Sequence, residues 1–202
     1  MHAFLAIVLS YLLGSIPAAY LAGKVFKGID LRQHGSRSLG ATNVYRVMGW
    51  KLALLVFVFD AAKGMIPVLV FARWIESPES EWWPIACGVT AIAGHVRPVF
   101  LRHGGGKGVA TATGVFAALA PLPVVIAFAV WVAMLLATGY VSLSSLTSAV
   151  VMPVAVLAYY GLRSPLFAVS TAMAVFVFWT HRANIGRLRR GEESRFGGKK
   201  AH

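Results

Sequence analysis

The 202-residue chain is 58% hydrophobic and only 13% charged, more apolar side chain than one water-soluble core of this size can bury, which excludes an ordinary soluble globular protein and points to a polytopic membrane protein. A formal net charge of +12 is compatible with a nucleic-acid binder, but the Lys and Arg residues fall in the connectors between apolar runs, which is the positive-inside pattern of a membrane protein. The lone cysteine, Cys87, sits within an apolar run, excludes an intrachain disulfide or a Cys-based zinc site, and reads as a packing residue.

The opening stretch MHAFLAIVLSYLLGSIPAAYLAGK has no Lys or Arg before its apolar core and Lys24 after it, the wrong polarity for a signal peptide, so a retained first span is expected. Apolar runs appear at about 3–23, 52–72, 83–101, 109–120, 122–138, 144–162 and 165–180, most of them near the roughly 20 residues of a helical span. Residues 109–138 read either as one long helix kinked at Pro121 and Pro123 or as two passes joined by the Pro-Leu-Pro turn.

Charge decides between these readings. Two passes give seven spans and put the 24–51 connector, the 102–107 connector and the tail from Arg182 on one side, collecting Lys24, Lys27, Arg32, Arg37, Arg46, Lys51, Arg97, Arg102, Lys107 and the basic residues of the tail, Lys199 and Lys200 included. The opposite side holds Arg73, Arg163, Glu76, Glu79 and Glu81. A single pass moves the arginine-rich tail outside and breaks this asymmetry. The expected fold is therefore an all-α polytopic membrane protein of seven transmembrane helices, N-terminus outside and C-terminus cytoplasmic. Its fourth helix is short and packed among others. One integral membrane domain covers 1–202, with a flexible basic tail from about 189 to 202 whose charges serve topology and anionic headgroups rather than nucleic acid.

Several polar residues exceed what connectors require. From Thr42 the first long connector turns helical, with Val44, Val47 and Met48 on an apolar face and Thr42, Asn43 and Arg46 related by three and four residues; an interfacial helix with a solvated Arg is the alternative. Arg46 can give a phosphate two parallel hydrogen bonds, and Ser36 in the Gly35-Ser36 turn can add a hydroxyl and an N–H. In the second span Asp60 and Lys63 lie at i and i+3 and are expected to pair, because an ionisable group in a membrane needs a partner; Lys63 reaching toward a phosphate is the alternative. His95 is expected to support the loop that follows it.

That loop, HGGGKGVATAT from His103 to Thr113, has the freedom of an anion cradle: glycine amides approach closely, Lys107 adds a charge, and a helix opening near Gly108 adds its positive end. It is not a Walker A loop, since positions 101 and 108 hold Leu101 and Gly108, and a structural hairpin is the alternative. The hydroxyls of YVSLSS (140–145) read as helix caps, with ligand contact as the alternative. In HRANIGRLRR, His181 and Asn184 share a helix face, His181 serving as base, hydrogen-bond donor or interfacial anchor. His2, His34 and His103 offer no paired metal-ligand spacing.

The segments GSRSLGATNVYR (35–46), FDAAKG (59–64), GHVRPVF (94–100), GGKGVAT (105–111), YVSLSS (140–145) and HRANIGRL (181–188) together resemble the bacterial acyl-phosphate-dependent glycerol-3-phosphate acyltransferases, the PlsY family. The resemblance implies a seven-helix membrane fold in the bacterial cytoplasmic (inner) membrane, with the site at the cytoplasmic face. It also implies transfer of a fatty acyl group from acyl phosphate to glycerol 3-phosphate, giving lysophosphatidic acid and phosphate in phospholipid biosynthesis, without metal, cofactor or coenzyme A. Carried over by motif, Ser36, Thr42, Asn43 and Arg46, then Lys107 with Gly105, Gly106 and Gly108, then His181 with Asn184, hold the two phosphates and orient the acceptor hydroxyl. Arg37 and Ser38 stand where the family commonly shows Gly and Asn, and His103 and Gly104 replace a more usual Phe and Lys; Arg37 is expected to restore the charge that Gly104 lacks.

Acyl phosphate is already activated, so alignment of the hydroxyl and neutralisation of departing phosphate suffice, with Lys107 on the leaving phosphate and His181 positioning. Metal-dependent CDP-alcohol chemistry needs a cluster of aspartates, and the chain has Asp30 and Asp60 alone; the His-x-x-x-x-Asp spacing of acyl-CoA-dependent acyltransferases occurs at no His. A transporter or binding protein for a phosphate-bearing or anionic lipid would use the same cationic cradle.

Overall fold

Each of the seven apolar runs is helical, and no strand occurs among the described residues, 2–75, 80–101 and 104–197, of the computed structural model. Glu76, Glu79, Arg102, His103, Lys199 and Lys200, which entered the expectations above, lie outside them. The first run is in two pieces, α1 (His2–Gly14) and α2 (Ala18–Lys27), because Pro17 has no N–H to continue the ladder; they run on as one apolar stretch of 26 residues. After a connector come α3 (Ala41–Met48) and α4 (Trp50–Leu69), separated by Gly49 alone, whose φ of 91° turns the chain between them.

The third run gives α5 (Trp82–Val96), which stops five residues short of the expected 101: Pro98 bars its predecessor from helical geometry, and the Arg97 carbonyl is taken by the Tyr11 hydroxyl at 2.7 Å. Residues 109–138 form two helices, α6 (Val109–Leu119) and α7 (Pro121–Thr138), interrupted at Ala120 with φ −147° and ψ 69°. Pro121 opens α7, where a missing N–H does no harm, so the prolines start a helix instead of kinking one. There follow α8 (Val141–Tyr160), α9 (Pro165–Thr180) and α10 (Arg182–Arg189), with Ser164 capping α9 by accepting from the Leu166 amide.

Four stretches are long and apolar enough to cross a membrane, His2–Lys27, Trp50–Trp74, Pro121–Thr138 and Val141–Tyr160, and a fifth if α9 and α10, bent by 59°, count together. α5, with 15 residues, and α6, with 11, fall short of that length. Large apolar side chains stand on the surface, Phe4 77% and Leu136 82% exposed, as expected where hydrocarbon replaces water.

The chain divides into two compact units, residues 1–119 and 120–202. In the first, α1 packs on α5, and α4 on α3, α5 and α6. The α4–α6 contact is backbone to backbone: a Cβ on Gly64 would strike the Thr111 carbonyl, and one on Gly114 the Ala61 carbonyl. Leu31, Leu39, Val44 and Val56 are buried where the first connector meets α3 and α4. In the second unit α7, α8 and α9 pack in sequence, and Trp131 donates its indole N–H to the Ser145 hydroxyl at 3.2 Å. The chain after α10 is tied to the α7–α8 turn, where a frayed tail was the expectation: the Phe196 amide donates to the Gly139 carbonyl at 2.7 Å, and Arg195 donates to the Tyr140 hydroxyl and lies over its ring.

Candidate functional site

The first connector is built on Asn43. Its Oδ1 accepts from the Ser36 amide at 2.8 Å, and its Nδ2 donates to the Leu31 and His34 carbonyls at 3.3 and 3.1 Å, so one buried side chain on α3 holds a whole loop. Gly35, with φ of 59°, leaves room for that amide; a Cβ there would collide with Asn43 Oδ1. Ser36 is exposed at the turn, while Thr42 and Arg46 lie one helical turn apart on α3, both half-buried. Arg37 takes a left-handed φ of 60°. Upstream, Asp30 caps a 3-10 turn (Leu31–Gln33) and receives both the amide and the guanidinium of Arg32; that guanidinium pulls its carboxyl down to about 2.

The second segment, Gly104–Gly108, leads into α6. Gly104 and Gly108 have φ of 87° and 83°, which favour glycine. A Cβ on Gly105 would strike the His95 and Val96 carbonyls, and one on Gly106 the His95 imidazole and the Leu39 carbonyl, 2.8 Å away. The loop is thus wedged between the end of α5 and the first connector, and the Arg32 side chain lies 3.4 Å from where a Gly104 Cβ would be. The structure therefore brings the first two predicted segments together, with Lys107 half-buried between Gly106 and Gly108. Asp60 and Lys63 pair as expected, Nζ to Oδ1 at 2.7 Å.

The third set belongs to the second unit. His181 joins α9 to α10 and is buried; its Nδ1 lies 2.8 Å from the Val177 carbonyl, which can only accept, so Nδ1 carries the proton and Nε2 is the acceptor of the neutral ring. Asn184 donates through Nδ2 to Glu193 Oε1 at 2.7 Å. Glu193, 6% exposed, also accepts from the Ser142 hydroxyl at 3.0 Å and from Arg187 Nε at 2.6 Å. Burial alone would push its carboxyl up, but hydrogen bonds from Asn184, Arg187 and Ser142 and the charge of Arg187 hold it below the usual carboxylate range.

Glu193 was not singled out from sequence, and Ser142 only among the hydroxyls of 140–145; a lone acidic pair inside a basic tail was the available signal. Thr111 was missed too, a buried hydroxyl without a hydrogen-bond partner in the first turn of α6. The hydroxyls of 140–145 do not cap α8 as expected: Ser144 and Ser145 donate back to the Tyr140 and Val141 carbonyls, each at 2.9 Å. Among the described residues no three of His, Cys, Asp and Glu gather as a metal-holding group.

Comparison with known proteins bears on this arrangement. Residues 4–191 match the family described as glycerol-3-phosphate acyltransferase. Proteins of that name from Geotalea daltonii and Desulforudis audaxviator are each 46% identical, over 94% of this chain and 95% of the first relative, and over 97% and 96% in the second case. Two crystal structures of PlsY, an integral membrane glycerol 3-phosphate acyltransferase, are similar across 98% of this chain and 96% of theirs: the glycerol 3-phosphate form with TM-score 0.88 at 38% identity, and the lysophosphatidic acid form with 0.86 at 37%. A chain matched over residues 4–191 and related at this level over nearly its whole length belongs to the glycerol-3-phosphate acyltransferase family.

Proposed function

We propose that this chain is a multi-pass enzyme of the bacterial cytoplasmic membrane that transfers a fatty acyl group from acyl phosphate to glycerol 3-phosphate, giving lysophosphatidic acid and inorganic phosphate. The observation that carries the reading is the Gly104–Gly108 loop, wedged against the first connector and opening α6, in a chain whose solved relatives are described with glycerol 3-phosphate and lysophosphatidic acid forms. One membrane domain over 1–202 crosses seven times, N-terminus outside, with α6 as the short fourth span. The interruption at Ala120 and the charge distribution support that topology.

The loop amides of Gly105, Gly106 and Gly108 and the Lys107 ammonium hold the donor's phosphate. Ser36, Thr42 and Arg46 take the phosphate of glycerol 3-phosphate, and Asn43 contributes by holding the loop that presents Ser36. The acceptor hydroxyl oxygen attacks the acyl carbonyl carbon, the bond from that carbon to the phosphate oxygen breaks, and the electron pair leaves with phosphate, whose charge Lys107 and the loop neutralise. A substrate phosphate oxygen takes the hydroxyl proton. His181, its Nε2 lone pair set by the Val177 bond, accepts from the non-reacting hydroxyl of glycerol 3-phosphate and, with Asn184, orients the acceptor.

Replacement of His181 by Gln tests this division of labour. Turnover within about tenfold of the parent with the pH–rate profile intact agrees with positioning, and disappearance of the acidic limb makes His181 the proton acceptor instead. Proteoliposomes distinguish the transporter reading. Labelled glycerol 3-phosphate is expected to become lysophosphatidic acid, and flux across the bilayer without product would favour transport.

A further inference from the structure

The ion pair inside α4 has a third member. Asp60, Lys63 and His95 are 1%, 2% and 7% exposed, deep in the first unit. Lys63 Nζ lies 2.7 Å from Asp60 Oδ1 and donates to the Ile16 carbonyl at 2.8 Å, at the α1–α2 break, where that oxygen also accepts from the Ala18 amide at 3.1 Å. Those contacts account for both charges of a structural pair, and a buried histidine is not needed to complete it. Yet His95, from α5, turns Nδ1 to within 3.5 Å of the same Asp60 oxygen.

The opposite edge of the ring shows what the arrangement holds. Nε2 and Cε1 are the atoms that a Cβ on Gly106 would strike, and the Gly106 amide donates to the His95 carbonyl at 3.2 Å. One residue thus grips Gly106 through ring and backbone together. Asp60 Oδ1 has no hydrogen-bond partner among the described residues, so at 3.5 Å it is the carboxylate's charge that favours the Nδ1–H tautomer of the ring that bears on the loop.

We infer that Asp60 and His95 are positioning residues for donor binding: Asp60 orients the imidazole, and the imidazole edge sets the backbone conformation in which Gly105–Lys107 receives the donor's phosphate. The inference rests on the proposed assignment of that loop to acyl phosphate.

Steady-state kinetics of the purified full chain, with acyl phosphate and glycerol 3-phosphate varied in turn, test it. His95→Asn keeps an amide near Nδ1 for Asp60 and removes the edge from Gly106; Asp60→Asn keeps the shape and removes the charge. Should Asp60→Asn not yield folded protein, Asp60→Asn with Lys63→Gln strands no charge and gives the same reading. Each is expected to raise the donor KM about tenfold or more, leave kcat and acceptor KM within about threefold, and show no further loss when Asp60→Asn and His95→Asn are combined. Equal loss toward both substrates, a change in kcat alone, or full additivity would overturn the inference. Gly106→Ala separates it from the reading beneath: if Gly106→Ala raises the donor KM and the other variants do not, positioning by Asp60 and His95 is wrong. If none of them raises it, the loop is not the donor site.

Discussion

Arg37 holds a φ of 60°, a left-handed conformation that costs a residue with a Cβ roughly 1 kcal/mol relative to glycine, and it is exposed, so no buried contact of its side chain offsets that cost. Strain kept at a turn one residue from Ser36 fits a charge retained for substrate. Arg37→Gly is therefore expected to raise the melting temperature, by up to about 1 kcal/mol in stability, while raising the substrate KM several-fold; a more stable enzyme with unchanged substrate constants would remove Arg37 from the site. Asn43→Ala acts in the opposite sense. It strips three hydrogen bonds from the connector and is expected to cost about 2–4 kcal/mol and to weaken substrate binding, measured by thermal unfolding and KM. The helical face bearing Thr42, Asn43 and Arg46 was legible from spacing alone. That Asn43 turns inward was not, because its partner, the Ser36 amide seven residues away, is brought there by the left-handed Gly35, and no periodicity encodes such a turn.

Among elements, the strap after α10 lends itself best to test. Glu193 gathers Ser142 from α8 with Asn184 and Arg187 from α10, so Glu193→Ala leaves three buried or half-buried donors without their acceptor and is expected to destabilise by about 2–4 kcal/mol, read by thermal unfolding. The same carboxyl predicts a pH response. Its folded pKa lies below the ordinary 4.5, so the stabilisation it provides is complete above that value and is lost as pH falls through the folded pKa. Hydrogen exchange of the Phe196 amide should be unchanged from pH 7 to about pH 5, after correction for intrinsic rates, and accelerate below. Protection lost well above pH 5 would contradict the assignment. Composition made this segment look like a solvated tail, since its basic residues outnumber Glu192 and Glu193; the tether depends on the α7–α8 turn, far away in sequence. By contrast, a break within 109–138 was legible as a kink or a turn, because proline acts through its own missing N–H and needs no distant partner, and charge chose between the two.

At the scale of the whole chain, hydropathy located the helices, since a residue's preference for hydrocarbon is local, and it placed their ends less well where a cap or a proline decides them, as at Ile16-Pro17 and Arg97-Pro98. The charge of +12, carried by connectors, supplies cations for the two phosphates that the proposed reaction brings together, one in an ester and one in an anhydride. In the proposed reaction the donor is a mixed anhydride, which needs no nucleophile from the protein and no thioester-binding site. The direct measurement is the rate of lysophosphatidic acid formation by the purified protein in chelator-treated buffer, with acyl phosphate or acyl-CoA supplied to the same glycerol 3-phosphate. Acyl phosphate is expected to give product with one inorganic phosphate released per acyl group transferred, and acyl-CoA none; product from acyl-CoA at a comparable rate, or no product from acyl phosphate, would contradict it.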